Sequence, residues 1–98
     1  MAVKSKPSSD SHSLLVPGNK VLVRTVTAYF TGVCLGKDEH EVWFGDASWI
    51  ADTGRFHQFL KDGTVNEVEP IPDGKLTIGR GAIVDVENFA HDLPRQQK

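Results

Sequence analysis

The chain has one cysteine, one methionine and one tyrosine in 98 residues. A single thiol, Cys34, cannot close an internal disulfide, so no covalent staple holds the fold. It sits at an apolar position of a strand pattern, and is read as a small buried hydrophobe rather than a nucleophile. Excess charge is also scarce. The 11 Lys and Arg against 13 Asp and Glu leave a formal net charge of -2. That excludes a strongly basic protein coating nucleic acid by counterion release alone, though a local binding patch stays open. No apolar run approaches the ~20 residues of a membrane span. The lysines near the start precede no hydrophobic signal core. The expectation is a soluble, intracellular protein with no membrane contact.

Catalytic and metal signatures are missing too. His12, His40, His57 and His91 form no close ligand spacing with one another or with Cys34, so no metal site is expected. Ser48 lies in Ala-Ser-Trp rather than a Gly-x-Ser-x-Gly elbow. Gly79-Arg80-Gly81 is too short for a phosphate-cradling loop. Asp52-Thr53-Gly54 resembles the catalytic turn of aspartic proteases. It precedes a helical pattern, however, and reads as a helix cap. The protein is therefore expected to be no enzyme and to need no cofactor.

What remains is a β pattern. A chain of 98 residues, 39% of them hydrophobic, supports one domain with a modest core. Residues 1–13 contain five serines and almost nothing large and apolar. They read as a flexible arm carrying Lys4 and Lys6. The domain then spans 14–98. Leu14-Leu15-Val16 docks before the Pro17-Gly18-Asn19 turn. Val21 to Val26 is a first strand, apolar on both faces. Tyr29–Leu35 is a second, and Gly32 within it marks a bend or close backbone approach. Glu41–Phe44 is a third, closed by Gly45-Asp46. Phe56, Phe59 and Leu60 at i, i+3 and i+4 give a short amphipathic helix over about 53–62, capped by Asp52 or Thr53 and ended by Gly63. Thr64–Glu69 is a weaker strand, Pro70–Gly74 a turn. Lys75–Gly79 and Ala82–Val86 are the last strands, joined at Arg80-Gly81. The segment from Asn88 to Lys98 lies along the surface.

Two ordered patterns resemble the Sm-like family of small barrels. The first is Val21 and Val23, then Gly32, Cys34 and Asp38. The second is Ile78, Arg80-Gly81, Ile83 and Val86, with one residue more than the family's usual Ile-Arg-Gly. The match covers about two fifths of the chain. The resemblance implies a mainly β fold, a small five-stranded Sm/SH3-like barrel, here with one short inserted helix. It also implies rings built through edge strands, with RNA bases held between the loops of the two patterns. That places Asp38, His40, Arg80 and Gly81 at a ligand pocket. The family's base-reading asparagine falls at Val42, and the loop carries Asp38, Glu39, Glu41 and Asp46 against Lys37, which repels phosphate.

A second resemblance runs through Asp46–Phe56, Asn66–Pro70 and Gly79–Asp85. It is to small phage- and prophage-encoded domains of unknown function, and covers most of 20–95. The reading that joins both is a non-catalytic binding module. It is a phage or prophage accessory protein acting through a barrel edge and loop surface, located in the host cytoplasm. The alternatives are an Sm-like homo-oligomer that binds RNA or sequesters a small nucleotide, and a structural protein of the virion. Expected partners are other copies of itself and a host or viral protein, with RNA or nucleotide as a further ligand. Trp43, Trp49 and Arg55 are candidates for the partner surface.

Overall fold

The computed structural model describes residues 14–98, so the expected arm over 1–13 lies outside the described residues. The element order is β1 (Lys20–Thr25), β2 (Tyr29–Lys37), β3 (Glu41–Asp52), α1 (Phe56–Asp62), β4 (Glu67–Pro70), β5 (Leu76–Gly79), a 3-10 turn (Arg80–Ala82) and β6 (Ile83–Asn88). All pairings are antiparallel. The strands run β4-β3-β2-β1-β6, with β5 also on β3. This is the mainly β barrel expected from the sequence, with six strands in place of five. The difference is local. β4 pairs with the second half of β3 and β5 with its first half. The two behave as one strand interrupted by the Pro70–Gly74 turn.

The interruption follows from a bend in β3. Gly45-Asp46 does not end that strand, as its turn-like composition suggests. Asp46 takes φ 47° and bends it. The intervening turn is stitched to the next residue: Ala47 N–H donates to the Gly74 carbonyl (3.0 Å), and Ile71 N–H donates to the Ala47 carbonyl (3.0 Å). Gly32 lies opposite on β2. A Cβ there would stand 3.2 Å from both the Gly45 carbonyl oxygen and Phe44 Cβ, so β2 and β3 come as close as only glycine permits.

Alternation along the strands builds two cores. Inside the barrel, Leu15, Val21, Val23, Cys34, Val42, Phe44, Ala47 and Ile78 pack together. Cys34 is fully buried, and burial pushes its thiol pKa up, away from nucleophilic behaviour. The second core lies on the opposite sheet face, where Leu22, Ile50 and Val68 meet Phe59, Val65 and Phe89. This explains why β1 is apolar on both sides. One face fills the barrel, and the other is roofed by α1 and the segment after β6. Phe59 and Phe89 rings lie 5.4 Å apart, and Tyr29 supports Phe56 at 5.7 Å.

The helix is shorter than expected and starts differently. Its N-cap is Arg55, which makes no side-chain capping bond. Asp52 Oδ1 instead accepts from Gly54 N–H (2.8 Å), and Thr53 donates its hydroxyl to the Gly54 carbonyl. Both residues build the turn before the helix rather than its cap. The C-terminal end is as read. Gly63 adopts φ 76° and donates its N–H to the Phe59 carbonyl.

Candidate functional site

The β2–β3 turn is organised by Asp38. Its Oδ1 accepts the backbone N–H groups of His40 (2.7 Å) and Glu41 (2.8 Å), and its own N–H donates to the Glu41 carbonyl (2.9 Å). These backbone donors, His40 first, hold the Asp38 carboxyl below the usual carboxylate range. The turn is therefore set by an ionised side chain.

Arg80 ties this turn to the β5–β6 connection. Its backbone N–H donates to the His40 carbonyl (2.8 Å), and Nη1 donates to the Asp38 carbonyl (2.8 Å). The first bond continues the β3–β5 ladder, in which Glu41 pairs with Gly79. The second fixes the guanidinium against the turn. Asp38, His40, Arg80 and Gly81, assigned to one site from the sequence, thus share one end of the barrel. His40 and Gly81 are exposed, and Arg80 is half-buried. A side chain at Gly81 would meet open space, so its backbone is accessible. An imidazole and a guanidinium on adjoining turns are planar groups suited to stacking on a flat heteroaromatic ring. Glu39 and Glu41 are exposed beside them and disfavour a phosphate at this spot. Val42 is fully buried opposite Ile78, so its position belongs to the core.

Of Trp43, Trp49 and Arg55, the two tryptophans line different grooves. Trp43 lies over Gly36 and lines a groove of about 430 Å³ with Leu35 and Leu76. Trp49 lines another, of about 530 Å³, with Arg24, Val26, Tyr29 and Val84. Arg55 is exposed at the start of α1.

A third cluster escaped the sequence reading. Arg24 Nε donates to Asp85 Oδ2 (2.8 Å), with a second bond from Nη2. The Arg24 bonds lower the Asp85 pKa. Glu87, two residues on and so on the same strand face, has its pKa raised by burial and then by the Asp85 charge. Its Oε1 is buried without a partner among the described residues. Alternating acids opposite an arginine were visible in the sequence, but the pairing of β1 with β6 was needed to join them. A raised acid pKa favours the folded state below the ordinary value of 4.5, and that contribution is lost as pH rises through the folded value. Glu87→Gln, neutral at every pH, should therefore melt higher than the wild type at pH 7. The gain should vanish in thermal melts below pH 4.5. An equal gain at both pH values would separate it from this ionisation.

These features define a class of fold, the Sm-like β-barrel. A solved heptameric archaeal Sm protein superposes with a TM-score of 0.53 at 17% identity, covering 83% of this chain and 97% of that one. At that identity the likeness is one of fold. No family model and no curated protein matches the chain.

Proposed function

We propose that the protein is a non-catalytic, self-assembling binding module that takes a nucleobase, of RNA or of a free nucleotide, between its Asp38–His40 and Arg80–Gly81 turns. The observation that carries this reading is the double tie of Arg80 to the carbonyls of Asp38 and His40. It holds a guanidinium in place beside an exposed imidazole before any ligand arrives, which lowers the ordering cost of stacking. The fold shared with a heptameric Sm protein supports assembly of copies through strand edges.

The test is fluorescence anisotropy with short labelled homopolymer RNAs and with the matching free nucleotides. His40→Ala leaves the bonds made by the His40 backbone, so the turn survives. It should weaken binding about 5- to 100-fold, the range of one base–side-chain stack. Arg80→Ala should weaken it at least as much. RNA affinity should fall as salt rises. Unchanged affinity in both variants, with circular dichroism intact, would remove the pocket.

A second reading has its own support. Leu35 (57% exposed), Trp43 and Leu76 form an apolar surface suited to a protein partner. Under that reading the wild type binds no RNA or nucleotide, and partner binding depends little on salt. The phage-type setting, as accessory or virion protein with a host or viral partner, rests on the sequence resemblance over Asp46–Phe56, Asn66–Pro70 and Gly79–Asp85.

A further inference from the structure

The two ends of the strand order are β4 and β6, and the structure treats them differently. On β4, residues alternate between facing β3 and facing outward. Val68 and Pro70 face outward, and Pro70 has no N–H. Val68 therefore carries the single outward donor of that strand, and it is in use. Val68 N–H donates to the Lys98 carbonyl, and Lys98 N–H donates to the Val68 carbonyl, both at 2.9 Å. This reciprocal pair is an antiparallel strand contact made by the chain's own tail. Two further contacts seat that tail on β3: Ser48 Oγ donates to the Pro94 carbonyl (3.1 Å), and Arg95 pairs with Asp46 (3.0 Å). Positive Arg95 and Lys98 lie along a stretch whose exposed acids include Asp46, Glu67 and Glu69.

The β6 edge is the opposite case. Phe89 N–H donates to the Lys20 carbonyl, so by alternation Glu87 and Asp85 also face β1, while Val86 and Asn88 face away. Among the described residues no strand pairs with that side. Among the described residues the sheet thus ends in an open edge at β6 and in an edge at β4 that accepts a strand but is already occupied. Joining the two between copies is a heterologous, head-to-tail contact of the kind that generates rings or filaments.

We infer that the segment Pro94–Lys98 is a latch on the β4 edge, and that the occupant it holds out is β6 of a second copy of this chain. The inference rests on the self-assembly reading above and adds what controls it. Two backbone bonds, the Ser48 hydroxyl bond and one exposed ion pair are few enough to exchange with a longer partner strand.

The experiment compares the full chain with one ending at Pro94, and with Lys98→Pro, which deletes the donor to the Val68 carbonyl at full length. Mass is read by light scattering over a concentration series, and the Val68, Val86 and Asn88 amides by hydrogen exchange. The full chain should be monomeric, with Val68 slow to exchange and Val86 and Asn88 fast. The shortened chain should be several times heavier, with all three amides slow. Lys98→Pro should shift in the same direction. If full and shortened chains assemble to the same mass, the latch is wrong while self-assembly stands. If the shortened chain and Lys98→Pro both stay monomeric with unchanged circular dichroism, β4 does not take a second copy, and the self-assembly reading falls with the latch. Base binding at Arg80 is scored separately and is untouched by either result.

Discussion

Phe59→Ala should lower stability by about 3–5 kcal/mol, the usual cost of emptying a fully buried phenylalanine site. Phe59 is 0% exposed and is the buried residue of α1. It stands between Phe89 and the sheet residues Leu22, Ile50 and Val68. These neighbours come from four separate segments, so the site has little freedom to collapse around the missing ring. Domains of this size unfold with about 5–15 kcal/mol, and each kcal/mol moves the melting temperature by about 4–8 °C. The expected drop is therefore about 12–40 °C in a thermal melt followed by circular dichroism. A seven-residue helix does not persist in water without such an anchor, so the helical signal should go with the tertiary one. Phe56→Ala, at a ring that is 39% exposed, should cost much less. Equal losses at the two positions would mean that α1 is not seated on the sheet through Phe59.

Gly63→Ala should be the other large loss, and a matched control separates its causes. Gly63 sits at φ 76°, where a side chain is strained, and its added Cβ would stand 2.7 Å from His91 Cγ and 2.8 Å from His91 Cβ. Gly18 has a similar φ of 90° but nothing within 4 Å of the new atom. Gly18→Ala therefore measures backbone strain alone, about 1 kcal/mol for a residue forced into the left-handed region. Gly63→Ala adds a contact that must push His91 away. His91 Nε2 lies 2.9 Å from the Leu60 carbonyl, and its ring packs edge-on against Phe89 at 5.1 Å. The added overpacking is worth about 1–3 kcal/mol, for a total of about 2–4 kcal/mol by urea denaturation. If the two variants lose the same amount, the segment after β6 is not packed against the end of α1.

The sequence carried the barrel further than it carried the surface. The β1 and β2 segments were legible because both are rich in β-branched and aromatic residues and are bounded by turn residues. Gly63 was legible as a helix end. The bend at Gly45-Asp46 was not, since a glycine beside an aspartate has the same composition in a turn as in a strand kink. What distinguishes them is the Pro70–Gly74 turn hydrogen-bonded to Ala47, a contact between distant residues. The helix start failed for a related reason. Asp52 is a good capping residue, but it spends its carboxylate on Gly54 and leaves the cap to Arg55. The turn pair at Asp38 and Arg80 was legible only as two spaced patterns, and the structure adds the hydrogen bonds that join them. The grouping of Trp43 with Trp49 could not be tested by parity alone. They lie on either side of the β3 bend and line separate grooves.

The roof over the second core is drawn from α1 and from the segment after β6, both later in sequence than β1, and this has a consequence for synthesis. Leu22 in β1 is covered by Phe89, and β1 itself is flanked by β6. A ribosome that has released only the first three strands has therefore exposed a hairpin whose outer apolar face has no lid and whose outer rim has no neighbour. Such a nascent intermediate is dominated by contacts still to come, the situation that slows folding and invites association. Completion waits on the synthesis of Phe89, which shuts the hydrophobic face.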